Sequence, residues 1–140
     1  MCKNFITCVI IRVSKFGGDK MRQGKFKYHL KNDDLLTEFE GVCFYYEEKN
    51  ILAFKEQNNN TQVFVDFNHF LLTRENNEML LVLDFNGGES YINMKKMNQK
   101  MPLELIIKDK NVIGNKFIVN YTLSGQNDFE FILEWFFGGE

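Results

Sequence analysis

Short apolar segments separated by polar turn residues are the feature of this sequence that most constrains its fold. Almost every apolar run is five to ten residues long, is rich in Phe, Ile, Val, Tyr and Leu, and ends at a cluster of Asn, Gly, Asp or Lys. This pattern predicts β-strands joined by tight turns. Long helices usually draw on Ala, which occurs only at Ala53. The spacing of Met94, Met97 and Met101 predicts either a short helix or a loop that leads to Pro102.

The size and charge of the chain predict one soluble globular domain over residues 1–140. The sequence has 140 residues, 44% of them hydrophobic, and a formal net charge of -2. A chain of this length can build its own core without disulfide or metal staples. Its 15 Phe residues exclude a disordered chain, and its balanced charge provides no general field for nucleic acid.

The sequence predicts a cytoplasmic protein. The apolar run Phe5 to Ile11 ends at Arg12 with no small-residue cleavage site after it, so we interpret it as part of the mature protein. No stretch approaches the roughly 18 apolar residues of a membrane-spanning helix, so no membrane contact is expected. The three cysteines are expected to be free thiols. No metal and no cofactor are expected, because His29 and His69 do not lie in a ligand-spaced cluster.

The segment from Lys25 to Gly41 predicts a β-hairpin with a charged outer face and an apolar inner face. A two-residue loop at Asn32 and Asp33 fixes which residues face each other. The charged pairs are then Lys25 with Glu40, Lys27 with Glu38 and Lys31 with Asp34. The apolar face pairs Phe26 with Phe39, Tyr28 with Thr37 and Leu30 with Leu35.

Three further hairpins follow from the same alternation. A five-residue loop from Ser124 to Asp128 pairs Phe117 with Trp135, Val119 with Leu133, Tyr121 with Phe131 and Leu123 with Phe129. A loop at Phe67 and Asn68 pairs Val65 with Phe70, Val63 with Leu72 and Thr61 with Arg74. A loop at Asn76 and Asn77 pairs Met79 with Arg74, Leu81 with Leu72 and Leu83 with Phe70. Gly87 and Gly88 close the next turn, and Tyr91 to Met94, Leu103 to Lys108 and the segment from Phe117 supply further strands.

Short strands with one apolar face each predict an all-β antiparallel meander that closes into a barrel of about 8 to 10 strands. An open sheet would expose both its apolar face and its two edges. A two-sheet sandwich is the alternative. The segment Asn4 to Val13 is apolar on both faces and is expected in the middle of the closed sheet or under Phe136 and Phe137. The loop from Phe16 to Asp19 is expected to connect strands.

An ordered set of short motifs resembles the YwiB-like family of small bacterial proteins of unknown function. The motifs are Phe54-Lys55-Glu56, Thr61-Gln62-Val63-Phe64-Val65, Arg74-Glu75-Asn76, Tyr91, Leu103-Glu104-Leu105-Ile106, and Gly114 followed by Val119-Asn120-Tyr121-Thr122-Leu123. The resemblance covers about residues 41–135 and implies a calycin, or lipocalin-like, β-barrel with an internal cavity. Asn76 stands where the family has a glycine, and the polar residue after the Leu-x-Ile strand is Lys108 or Asp109.

Arg74 is the leading candidate site residue, because the predicted register places its guanidinium on the apolar inner face. A charge at such a position needs a partner. One interpretation is an anchor for an anion or carboxylate at the barrel mouth, since the planar guanidinium suits bidentate recognition. The other is an internal ion pair with a carboxylate, for which Glu56 is the first choice. Lipocalin-like barrels close one end with such a buried arginine, so the resemblance favours the ion pair.

No catalytic residue is predicted. Glu47 and Glu48 are neighbours in a strand and point to opposite faces, so they are expected to be solvated. His69 is expected to bond to Asp66 across a tight turn, and His29 is expected to be solvated on the outer face. The basic residues before Lys31 are expected to pair with the acidic block that follows, which argues against a nucleic-acid surface.

Two functions remain open from the sequence. The first is binding of a small apolar or amphipathic anionic ligand inside the barrel. Its proposed wall and anchor residues are Arg74, Glu56, Thr61, Tyr28, Tyr45, Leu72, Tyr121 and Trp135, with Val63, Leu81 and Phe131 as further wall residues. The second is a non-enzymatic accessory protein with a filled barrel and an exposed aromatic surface at Tyr46, Phe136 and Phe137. A small-molecule ligand and a homodimer are the partners that these functions imply.

Overall fold

Eleven strands form in the part of the chain that the computed structural model describes, which is residues 20–56, 60–125 and 128–137. A 3₁₀ turn at Lys95–Met97 lies between the seventh and eighth strands. The strands are β1 (Met21–Asn32), β2 (Leu35–Tyr46), β3 (Ile51–Glu56), β4 (Thr61–Asp66), β5 (Leu71–Glu75), β6 (Met79–Asp84), β7 (Ser90–Met94), β8 (Gln99–Leu103), β9 (Leu105–Ile113), β10 (Lys116–Leu123) and β11 (Asp128–Phe136).

All eleven strands belong to one antiparallel sheet that curls into a nearly closed barrel. The order across the sheet is β8-β7-β6-β5-β4-β3-β2-β1-β11-β10-β9. The chain therefore meanders from β1 to β8, and β11 returns to pair with β1 along Lys25 to Asn32. The two edge strands, β8 and β9, are joined by Glu104 alone. This arrangement confirms the predicted all-β antiparallel barrel, with eleven strands where about 8 to 10 were expected.

β8 is a strand that the sequence did not predict. The segment around Met94, Met97 and Met101 was expected to be a helix or a loop, but only Lys95–Met97 forms a helical turn. Met101 and Pro102 pair with β7. Pro102 is compatible with a strand here because β8 lies at the edge of the sheet, where a missing N–H costs no ladder bond. The predicted strand from Leu103 to Lys108 is divided at Glu104 between β8 and β9.

The hairpin of β1 and β2 has the predicted faces but not the predicted pairs. Asn32 pairs with Leu35, so the turn is Asp33 and Asp34, with Asp33 in the left-handed region at φ 54°. The turn lies one residue later than predicted, which moves every partner by two positions. Lys27 therefore faces Glu40, Tyr28 faces Phe39, and Phe26 faces Gly41. A shift of two residues keeps each side chain on its predicted face, because the side-chain period of a strand is two.

In the other three predicted hairpins, the partner of each residue is also wrong by two positions, and each side chain keeps its predicted face. Between β10 and β11, Phe117 pairs with Leu133 and Tyr121 with Phe129. Between β4 and β5, Val63 pairs with Arg74 and Val65 with Leu72. Between β5 and β6, Leu72 pairs with Leu83 and Arg74 with Leu81. In the β4–β5 turn the left-handed residue is Phe70, at φ 49°. Bulky residues seldom adopt this conformation, so nothing in the sequence indicated a turn that extends to Phe70.

Aromatic side chains from the inner face fill the barrel. Phe26 stacks on Phe54 in its middle, with ring centroids 4.1 Å apart. One end of the barrel, which we call the closed end, is packed by rings from two turns and two strands. Phe67 stacks on Trp135 there with centroids 4.7 Å apart, and Phe117 contacts Phe67, Phe70 and Phe85.

Lys110 of β9 covers the closed end, and removing its ammonium is expected to weaken the fold. Its Nζ donates to the backbone oxygen of Phe85 at 2.8 Å and to Oδ1 of Asn86 at 3.0 Å, and it lies 4.6 Å from the ring centroid of Phe70. Lys110→Met keeps the apolar stem but loses these bonds. We expect the free energy of unfolding to fall by about 1 kcal/mol, as measured by urea denaturation. An unchanged midpoint would show that solvent replaces both bonds without cost.

A second apolar cluster lies on the outer face of β2 and β3 and corrects one prediction. Phe44, Tyr46, Ile51 and Ala53 form this cluster, and Tyr46 is 0% exposed. Tyr46 was predicted to belong to an exposed aromatic surface, and that prediction is wrong. The predictions for Asn4 to Val13, for the loop from Phe16 to Asp19, and for Cys2 and Cys8 lie outside the described residues.

Candidate functional site

The candidate site lies at the end of the barrel opposite the closed end, which we call the mouth. Glu56 is the last residue of β3, and Arg74 is next to last in β5. Both point inward, with Val63 of β4 between them. Arg74 Nε donates to Glu56 Oε2 at 3.0 Å and Nη2 donates to Oε1 at 2.6 Å. The Glu56 side chain is 1% exposed and the Arg74 side chain 24%. The internal ion pair that the sequence suggested is therefore present.

Two inward tyrosines accompany the ion pair. Burial, and then the hydrogen bond that its hydroxyl donates to Glu56, raise the pKa of Tyr28 far above its ordinary value. Burial also raises the pKa of Tyr121 to about 12, although the positive charge of Arg74 opposes this rise. Burial disfavours the charge of Arg74, but its bonds to Glu56 outweigh that effect and its pKa is raised. At neutral pH both tyrosines are neutral and Arg74 is charged.

Several hydrogen-bond donors at the mouth have no partner among the residues that the structure describes. A guanidinium has five N–H groups, and Arg74 uses two of them on Glu56. The other three, and the Tyr121 hydroxyl, make no hydrogen bond to any part of the chain that the structure describes. Tyr121 is only 6% exposed. These groups can donate to a molecule that enters the mouth.

A cavity beneath the mouth connects these donors to an apolar wall. Its enclosed volume is about 30 Å³, and the empty space is about 390 Å³ when the open mouth is included. Arg74 and Glu56 are its only charged lining residues among those described. The lining consists of Tyr28, Leu30, Glu56, Val63, Leu72, Arg74, Leu81, Leu83, Phe85, Tyr121 and Phe131.

The structure brings together most of the residues that the sequence proposed for a ligand site. Arg74, Glu56, Tyr28, Leu72, Tyr121, Val63, Leu81 and Phe131 all line the cavity. Thr61 lies beside the mouth, where its Oγ1 accepts a hydrogen bond of 3.1 Å from Asn76. Tyr45 and Trp135 do not line the cavity. Trp135 packs in the closed end on Phe67, and Tyr45 donates to Asn50 at 2.6 Å and contacts Phe137.

Sequence reasoning missed three wall residues, Leu30, Leu83 and Phe85. Leu30 and Leu83 stood on the predicted inner face, so the alternation of β1 and β6 already contained the signal. Phe85 follows the end of β6 and lies in a turn, where no alternation applies. Its ring lies 5.4 Å from that of Tyr121, which places it in the wall.

The remaining titratable residues form no reactive group within the described part of the chain. His69 Nδ1 lies 2.8 Å from Asp66 Oδ2 in an exposed turn, as predicted. His29 lies 3.3 Å from Glu130 on the outer face. Burial raises the pKa of the Cys43 thiol to about 12, partly offset by the backbone of Gly24. Glu47 and Glu48 are exposed, as predicted, but they lie in the turn after β2 and not in a strand. No group of three or more His, Cys, Asp or Glu among the described residues could hold a metal ion.

A comparison with solved structures supports the barrel fold, whereas the comparisons of sequence found no match. The fold is similar to the crystal structure of the YwiB protein from Bacillus subtilis, with a TM-score of 0.57 and 13% identity over 89% of this chain and 98% of that one. This likeness supports a YwiB-like fold. No protein-family model matches the chain, and no curated protein matches it. Within the described residues, no helix is both long and apolar enough to span a membrane.

Proposed function

We propose that this protein is a non-enzymatic binding module for a small amphipathic molecule, which it holds in the mouth of the barrel. The observation that carries the proposal is the Tyr121 hydroxyl, which belongs to a residue only 6% exposed and has no hydrogen-bond partner among the described residues. Its oxygen is not fully buried, so it is accessible to a molecule that enters the cavity and can donate a hydrogen bond to it.

The wall of the cavity supports an apolar body for this molecule. Apart from the two tyrosines and the Arg74–Glu56 pair, all its lining residues are aliphatic or phenylalanine. Pockets of this kind bind through apolar area and use a few polar groups to fix orientation. Arg74 and Tyr121 are the polar groups here, and both donate hydrogen bonds.

The volume of the cavity limits how the molecule sits. Pockets for drug-sized ligands measure about 300 to 1,000 Å³, whereas the enclosed space here is about 30 Å³. Only a small polar group can therefore enter the enclosed part, and the apolar body has to occupy the open mouth. A ligand enclosed by the whole barrel, with Trp135 in contact, does not fit this packing.

The filled interior favours a second candidate, an accessory protein that works through its outer surface. Phe136 is 53% exposed and pairs with Lys25, whose other partner, Val42, is 40% exposed. Of the three residues predicted for the aromatic surface, Tyr46 is buried and Phe137 packs on Arg22 and Tyr45, so Phe136 is the one that this candidate retains, beside Lys25 and Val42. This candidate predicts that no small molecule saturates the mouth.

Replacement of Tyr121 by Phe tests the binding proposal. Isothermal titration of the wild-type protein with eight-carbon compounds that carry an acceptor group is expected to give saturable 1:1 binding. Tyr121→Phe is expected to weaken this binding by about three- to tenfold, the loss of one neutral hydrogen bond. It should not lower the thermal stability of the free protein, because the hydroxyl has no partner there among the described residues.

Tyr91→Phe is the matched control, since Tyr91 lies on β7 away from the cavity and contacts Lys100. It should leave binding unchanged. The proposal is overturned when no compound of this length saturates the protein, or when the two variants weaken binding equally.

A further inference from the structure

We infer that the polar end of the bound molecule is an uncharged carbonyl group, as in an amide, an ester or a ketone. This inference rests on the proposed binding function and specifies its ligand class. It differs from the anionic end that the sequence analysis expected, and the difference follows from how Arg74 is bonded.

The charge of the site is already balanced before a ligand enters. Both oxygens of Glu56 accept from Arg74, at 2.6 and 3.0 Å, and the Tyr28 hydroxyl donates to the same carboxylate. Arg74 and Glu56 together are therefore a neutral unit. Among the described residues, the cavity lining contains no other charged side chain.

An anionic group would therefore add an uncompensated charge to a mostly apolar cavity. Transfer of an ionised carboxylate out of water is costly unless an opposite charge is available to pair with it. Arg74 cannot supply that charge without leaving Glu56, which is 1% exposed and would then be a buried charge of its own. A neutral group avoids both costs.

The unused groups of the site are donors, which selects against an ammonium group, since an ammonium group has no acceptor. Three N–H groups of Arg74 and the O–H of Tyr121 have no partner among the described residues. A carbonyl oxygen has two lone pairs and can accept from both side chains at once. Its small size also suits an enclosed volume of about 30 Å³.

A titration series with one chain length tests the inference at neutral pH. The probes are octanamide, octanoate, octyl phosphate and octylamine, each titrated into the wild-type protein by isothermal calorimetry. We expect octanamide to bind at least tenfold more tightly than each of the other three. If octanoate, octyl phosphate or octylamine binds as tightly as octanamide or more so, the inference fails while the binding function stands. If none of the four binds, the binding function itself fails.

Glu56→Gln is the second variant, and it shifts the expected selectivity toward the carboxylate. Glutamine keeps the size of the side chain but removes the charge that balances Arg74. The uncompensated guanidinium should then favour the carboxylate, so the ratio of octanoate to octanamide affinity should rise at least tenfold relative to the wild type. An unchanged ratio in a folded variant, verified by circular dichroism, would overturn the inference. The wild-type series decides the question where this variant does not fold.

Discussion

Arg74→Ala is expected to lower the free energy of unfolding by about 3 to 5 kcal/mol, the range observed when one partner of a buried ion pair is removed. The substitution leaves the Glu56 carboxylate, which is 1% exposed, without the two hydrogen bonds that Arg74 donates to it. The carboxylate must then remain charged in an apolar cavity or take up a proton. Urea denaturation followed by far-ultraviolet circular dichroism measures the loss.

Two further variants distinguish the stability lost with the ion pair from the general effect of a substitution on stability. Lys108→Ala removes an exposed partner of Asp128, at 2.7 Å, and is expected to leave the denaturation curve unchanged because both side chains are largely in water. The double variant Glu56→Leu with Arg74→Met replaces the pair by apolar side chains and should recover most of the stability. A loss in Arg74→Ala no greater than in Lys108→Ala would mean that the pair is solvated.

Gly24→Val is expected to lower the free energy of unfolding by about 3 kcal/mol, the upper part of the usual range for overpacking. A Cβ atom at this position would overlap the backbone oxygen of Phe136 and lie 2.7 Å from Cδ1 of Phe137. The backbone contact cannot be relieved by turning a side chain, so the end of β11 has to move. Phe137 would then lose its contacts with Arg22 and Tyr45.

The control for this variant is Gly114→Asn. Gly114 has φ 58°, and no atom lies within 4 Å of the point that a Cβ atom would occupy there. Asn tolerates this left-handed conformation better than most residues. The stability of Gly114→Asn should therefore stay close to that of the wild type in the same urea titration. Equal stability of Gly24→Val and Gly114→Asn would contradict the close packing of β11 on β1.

The inner and outer faces of the strands could be predicted from the sequence, whereas the exact pairs could not. Phe26 and Phe39 both face inward, as alternation requires, although Phe26 lies opposite Gly41 and Phe39 opposite Tyr28. The faces depend only on whether a residue number is odd or even within a strand. The partner depends on which residue starts the turn, and a left-handed Asp33 or Phe70 has no distinct signal in a single sequence.

The same limit applies to the candidate site. Arg74 and Glu56 could be paired because each is a charge on an apolar face and needs an opposite charge. Tyr45 and Trp135 also face inward, but they lie toward the closed end and therefore far from Arg74. Alternation tells inside from outside and not the height along the barrel axis, which depends on register and strand tilt.

The prediction that Tyr46 is exposed is an error that the sequence could have prevented. Ile51, Leu52, Ala53 and Phe54 are consecutive apolar residues of β3, and all are buried. Such a run indicates a strand that is covered on both faces. The neighbouring outer positions of β2 were therefore more consistent with a buried cluster than with an exposed aromatic surface.

A crystal structure of the protein grown with octanamide tests the central claim most directly. We predict that the carbonyl oxygen lies within about 3.2 Å of both the Tyr121 hydroxyl and a free guanidinium nitrogen of Arg74, the range of a hydrogen bond. The two bonds between Arg74 and Glu56 should remain in place, with the alkyl chain against Leu30 and Leu81 at the mouth. An amide bound elsewhere, or an Arg74 that has left Glu56 to reach it, would contradict the account.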